Sequence, residues 1–119
     1  MTKPRDYFTG KQEEFKRSEV QIAPYNPRKI SPQQKATLKR SIRKYGVVGG
    51  ITVNKQTMTI VGGNQKVTIV DEIMGYPEKD YTLLAEAVNM DYKTEVELNF
   101  MLNSETVSYT HLRAHETEA

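Results

Sequence analysis

Few residues in this chain of 119 could do chemistry. It has no cysteine, and its two histidines, His111 and His115, sit near the C-terminus. Thiol catalysis, disulfides and Cys-ligated zinc are therefore excluded. The most suggestive stretch is Thr59-Ile60-Val61-Gly62-Gly63-Asn64-Gln65-Lys66. Strand-favouring residues run into a double glycine, and a segment that reads as a helix, Gln65 to Met74, follows and stops at Gly75. The glycines allow backbone angles closed to other residues and a close approach to a ligand. The helix start beyond them offers unpaired N–H groups and the positive end of a helix dipole, which together suit an anion. Lys66 adds a mobile cation with three donors. The alternative is a plain strand-to-helix turn that binds nothing.

Other candidates surround it. The prolines of Ala23-Pro24-Tyr25-Asn26-Pro27-Arg28 stiffen a loop from which Arg28 emerges. Ser31-Pro32 starts a helix, with Ser as N-cap and Pro at its first position. That helix carries Lys35, Lys39, Arg40, Arg43 and Lys44 without an acidic residue, as a polyanion-binding face or a merely solvated one. Leu38, Ile42 and Tyr45 form its apolar stripe, and Gly46 stops it. Phosphodiester cleavage usually needs a metal held by carboxylates. Asp71 and Glu72 are the nearest, but adjacent helical positions face different ways, so they read as surface charges and no catalytic residue is expected. His111 and His115 have an i, i+4 spacing with Glu116 beside them. That arrangement can bind metal on a helix but reads as accidental here, so no metal site is expected.

The elements that position these residues follow from periodicity. Residues 1–18 are polar with five cations, and read as a mobile basic arm anchored only by Tyr7, Phe8 and Phe15. Glu19–Ile22 reads as a strand, and Ile51–Asn54 with Met58–Val61 as a hairpin. In the helix after the glycines, Val67, Val70, Ile73 and Met74 are expected to pack. Tyr81–Asn89 reads as a further strand. Thr94–Leu102 reads as a helix capped by Thr94, with Val96, Phe100 and Met101 inward. The order strand, helix, hairpin, helix, strand, helix predicts a small α/β (α+β) domain with a mixed sheet and three helices. Residues 1–50 hold 12 Lys/Arg against 4 Asp/Glu, and residues 51–119 hold 5 against 11. A basic half points to a polyanion partner, or the halves neutralise each other in the fold. No membrane-spanning or signal segment is legible, so a cytoplasmic protein without membrane contact is expected.

Asn26-Pro27-Arg28, the helix from Ser31, Tyr45-Gly46, Ile51–Asn54, Thr59–Lys66 and Gly75-Tyr76 together resemble the ParB/sulfiredoxin-like superfamily. The nearest form is the ParB-like nuclease domain of phage proteins and of proteins carrying DNA methyltransferases. The resemblance covers residues 19–104, and 19–105 is the expected domain. It implies a nucleotide pocket for CTP or ATP, with Mg²⁺, lined by Gly62, Gly63, Asn64, Gln65 and Lys66 and approached by Arg28. It also implies contact of the basic helix with DNA phosphates, and a phage or mobile-element origin. The sequence departs from the family pattern at Asn64, where His or Glu is usual, at Lys66, usually Arg, and at Ile69, usually small. Lysine lacks the bidentate geometry of arginine. Sulfiredoxin's cysteine, a helix-turn-helix and methyltransferase motifs have no counterpart in these 119 residues. From about residue 106, Val107–Thr117 resembles translated sequencing-adapter DNA, so 106–119 is expected to be non-native or disordered.

Three functions fit. The first is a nucleotide-binding, DNA-associated module. The second is a protein-binding phage effector on a degraded pocket, for example an inhibitor of a host nucleic-acid enzyme such as an anti-CRISPR protein. The third is a weak metal-dependent nuclease or nucleotide hydrolase.

Overall fold

Strand β3 (Thr52–Asn54) is the middle of a five-stranded sheet in the computed structural model, which describes residues 10–25 and 29–102. Across the sheet the order is β1 (Lys11–Lys16), β5 (Thr82–Val88), β3, β4 (Thr59–Gly62) and β2 (Gln21–Ile22). The β1–β5 and β3–β4 pairs are antiparallel, whereas β3–β5 and β2–β4 are parallel. Three helices accompany it: α1 (Pro32–Tyr45), α2 (Asn64–Met74) and α3, residues 92–102. This is the α/β class, mixed sheet, hairpin and three helices that the sequence predicts.

The core lies on one face of the sheet. Along β5, Leu83, Ala85 and Ala87 are buried while Leu84 is 56% exposed, as a two-residue period requires. Phe15 sits opposite Leu83, Val53 beside Ala87 and Ile60 beside Val53, with Val67 of α2 packed on the same cluster. Each of the larger side chains, Phe15, Leu83, Val53, Ile60 and Val67, contributes roughly 1.5–3 kcal/mol when fully buried. By that measure α1 is lightly held, because none of its residues is buried. Leu38 and Ile42 of its expected stripe are half-buried, and Tyr45 is 65% exposed.

The opposite face is covered differently from expectation. Helix α3 turns Glu95 and Asn99 inward, at 0% and 1% exposure, while Phe100 and Met101 are each 63% exposed. Asn99 Nδ2 donates to the Val61 carbonyl at 2.9 Å. Glu95 accepts from Asn54 Nδ2 at 2.7 Å and from the hydroxyls of Tyr25 and Thr57. Burial alone would raise the Glu95 carboxyl, but the hydrogen bonds from Thr57, Tyr25 and Asn54 outweigh it and hold the group below the ordinary range. The inward stripe is thus polar because the surface it meets is a set of buried donors and carbonyls. The cap is Asp91 rather than Thr94: its Oδ1 accepts the Thr94 N–H at 2.8 Å, and the helix already runs at residue 92.

The arm reading is corrected for residues 11–18. Lys11–Lys16 is an edge strand, Phe15 is 5% exposed, and a single 3₁₀ turn, Arg17–Glu19, takes the start of the expected first strand, leaving Gln21–Ile22. The pairing partner, β5, lies about seventy residues along the chain, where local periodicity does not reach. Arg17 is 7% exposed and fully engaged. Its Nε and Nη2 donate to Asp71 at 2.9 and 3.0 Å, its Nη1 donates to the Val20 carbonyl at 2.8 Å, and its guanidinium lies 4.4 Å from the Tyr76 ring centre. In α2 the buried apolar residues are Val67 and Ile69, while Met74, expected to pack, is 47% exposed and borders an open groove with Val70. Residues 1–9 and the expected tail, 106–119, with His111, His115 and Glu116, lie outside the described residues.

Candidate functional site at the β4–α2 junction

Strand β4 ends at Gly62, and Gly63 turns the chain into α2 with φ 87° and ψ 19°, a left-handed conformation that glycine adopts without strain. The N-cap, Gly63, has no side chain to cap this helix, and its first closing bond is from Val67 N–H to the Gly63 carbonyl at 3.0 Å. The N–H groups of its first turn therefore have no intrahelical carbonyl, the arrangement that favours an anion.

Close packing shapes the junction. A Cβ on Gly63 would stand 3.2 Å from the Gly50 carbonyl oxygen and 3.1 Å from Ile51 Cγ1, and one on Gly62 would stand 3.1 Å from Leu102 Cδ1 of α3. A second glycine pair thus faces the first. Gly49 and Gly50 have φ of 96° and 79°, and Lys66 Nζ lies 2.6 Å from where a Cβ on Gly49 would stand. Lys66 is half-buried beside this loop, and that burial lowers the pKa of its ammonium. A partly desolvated cation beside a helix N-terminus is matched to an incoming anion.

Asn64 does different work from that expected of it. It is 5% exposed, its Oδ1 accepts the Ala23 N–H at 3.0 Å, and its Nδ2 donates to the Ile60 carbonyl at 3.0 Å. The carboxamide braces the Ala23–Tyr25 segment against the start of α2 instead of facing a ligand. Tyr25, held by Glu95, fixes the same segment from the side of α3. Gln65 is half-buried at the helix start, and Arg28 lies outside the described residues. The junction therefore gathers Gly62, Gly63 and Lys66 with Gly49 and Gly50, while Asn64 positions the neighbouring loop. Gly49-Gly50, thirteen residues upstream of Gly62-Gly63, was open to view as a second glycine pair; the contribution of α3 was not, because it depends on packing.

Beside the junction is a groove of about 340 Å³, shared by Gly50 and Val67 and walled by Val47, Ile51, Val70 and Leu83. A smaller cleft of about 180 Å³ across Gly50 and Ile51 is bordered by Glu86, whose carboxylate is unsuited to phosphate.

The cations of α1 divide into two groups. Lys35 and Lys39 turn to Glu72 of α2, at 2.5 and 3.5 Å, and the Lys35 hydrogen bond holds the Glu72 carboxyl below its usual range. Arg40, Arg43 and Lys44 form no ion pair with a described acidic residue, and Lys44 lies over the Tyr45 ring at 5.2 Å. The two charge halves of the sequence are thus partly neutralised across the fold, through Arg17–Asp71 and Lys35/Lys39–Glu72. Asp71 is not the surface charge expected: it also accepts from Tyr81 Oη at 2.7 Å and anchors the end of α2. Among the described residues, no three metal-ligating side chains come together, and no helix is long and apolar enough to cross a membrane.

The fold is that of ParB N-terminal domains. The chain is similar to a C-terminally truncated chromosome-partitioning protein ParB from Caulobacter crescentus, complexed with CTP-γ-S, at 22% identity and a TM-score of 0.61. That match covers 92% of this chain and 66% of the other. A second similar structure is a Pnob8-like ParB-N domain, at 15% identity and a TM-score of 0.57, covering 79% of this chain and 35% of that one. No family model matches the sequence. No curated protein matches it either.

Proposed function

We propose that the chain is a ParB-like nucleotide-binding module, of phage or mobile-element type, that associates with the DNA backbone. One observation carries this reading: the start of α2 after Gly63 meets two glycine pairs and half-buried Lys66, on a fold shared with a ParB solved with a CTP analogue. The phosphates of a nucleoside triphosphate, CTP or ATP with Mg²⁺, would lie on the amides of Gly63–Lys66. Lys66 would rise from Gly49 to meet them, and Gln65 and Arg28 would flank them. The adjoining groove, mostly apolar along Val47, Ile51, Val67 and Val70, suits the nucleoside part. Arg40, Arg43 and Lys44 supply the DNA contact, which is to phosphates and therefore weak, sequence-tolerant and salt-dependent.

The test is a thermal-shift titration of the full chain with CTP, ATP, GTP and ADP, with and without Mg²⁺. One nucleotide at a hundredfold its Kd is expected to stabilise the fold by about 2.7 kcal/mol, or about 10 °C in Tm. Lys66→Ala should abolish that shift while leaving the unliganded Tm within about 2 °C of the parent, because its ammonium supplies charge rather than core packing. No shift with any nucleotide would turn attention to a protein partner at the exposed Tyr45, Val47 and Val48, respectively 65%, 40% and 68% exposed.

A further inference from the structure

Helix α1 has five cations and no acid of its own, yet two of the five are occupied from within the molecule. Glu72 projects from α2 into the α1–α2 seam, and its two carboxylate oxygens take Lys35 and Lys39 separately. The pairing carries no buried charge, since the side chains of Lys35, Lys39 and Glu72 are 46%, 35% and 37% exposed. Ion pairs this exposed contribute little to stability, so removing the Glu72 charge frees both lysines without unfolding the seam. A carboxylate clamped between two ammonium groups is also what a phosphate bound there would look like.

We infer that Glu72 is an internal stand-in for a DNA phosphate, so that α1 meets duplex DNA with three cations while Glu72 holds Lys35 and Lys39, and with five once the Glu72 charge is removed. This rests on the reading of α1 as a DNA-backbone contact. From Lys35 to Lys44 the helix rises about 13 Å and its cations spread over about half its circumference, while a duplex presents one charge per roughly 1.7 Å of its axis, so α1 laid along a groove can meet several phosphates at once. The cationic face has no aromatic platform along its length, only Tyr45 at its end, which favours a duplex over unstacked single strands. Glu72 thus masks two of the five cations and lowers the affinity of the helix for duplex DNA.

The test is fluorescence anisotropy of the full chain on a 20-base-pair duplex, between 50 and 200 mM salt. Three phosphate contacts predict a log–log salt slope of about −2.7, and five predict about −4.5. Over that range the parent should lose about 40-fold in affinity and Glu72→Gln about 500-fold. Glu78→Gln, which removes an equal charge from an exposed acid outside the seam, should keep the parent slope. Adding Lys35→Ala and Lys39→Ala should barely change the parent and should return Glu72→Gln to the parent slope. Equal slopes for the parent and Glu72→Gln, with the parent still binding, would overturn the inference alone. No binding by either protein at 50 mM would overturn the DNA reading and the inference with it. An equal gain for Glu72→Gln on polyglutamate would give the face to acidic proteins and overturn its assignment to duplex DNA.

Discussion

Asn64 and Lys66 lie two positions apart in one motif, and the structure gives them opposite consequences. Asn64→Ala removes an acceptor for the Ala23 N–H and a donor to the Ile60 carbonyl, both at 3.0 Å, around residues that are 3% and 0% exposed. An orphaned buried donor or acceptor costs about 1–3 kcal/mol. Ala23 bears more of the loss, because Ile60 lies in a paired strand. The sum is about 3 kcal/mol, equivalent to a fall of about 12 °C in Tm for a domain of this size. Urea unfolding at pH 7, followed by circular dichroism, measures the free energy, and a thermal scan measures the Tm. The nucleotide shift should survive in Asn64→Ala, although weakened, since the helix start remains while the braced loop loosens. A fall of under 3 °C together with complete loss of the nucleotide shift would refute the reasoning and make Asn64 a ligand-binding residue.

Glu95→Gln keeps the shape of the side chain but loses its charge and places an amide among the donors Asn54, Tyr25 and Thr57, so a loss of about 2–4 kcal/mol at pH 7 is expected in urea melts. The folded Glu95 carboxyl lies below its unfolded value of about 4.3, so its contribution is complete above that pH and fades as pH falls through the folded value. The gap between parent and variant should therefore narrow between pH 5 and pH 3; a constant gap would argue against the charge. Gly49→Ala puts a methyl group where Lys66 Nζ lies, at a φ of 96°, and should cost about 1–2 kcal/mol and displace Lys66. Its nucleotide affinity, measured by calorimetry, should fall tenfold or more, and an unchanged affinity would remove the Gly49-Gly50 loop from the site.

The strand-to-helix junction itself was legible because Gly62-Gly63, a lysine and a helix start announce themselves locally. Gly62-Gly63 stands at a strand end, α2 begins at once beyond it, and Ser31 accepts the Gln34 N–H as a capping box should. The hairpin and the apolar run of β5 were equally local, and so the fold class followed from sequence. Side-chain roles were another matter. Asn64 is expected to line the pocket because the family resemblance puts it there, and only the approach of Ala23 makes its carboxamide a brace. Phe100 and Met101 looked like core because apolar residues usually turn inward, yet α3 lands on buried polar groups, so Glu95 and Asn99 take that place. Lys11–Lys16 looked like an arm because its partner strand is remote in sequence, and Lys35 and Lys39 looked free because Glu72 lies on another helix. Backbone preference and periodicity act over a few residues and are written into the sequence. Which polar group meets which across the fold is set by how the layers close, and only the tertiary structure decides it.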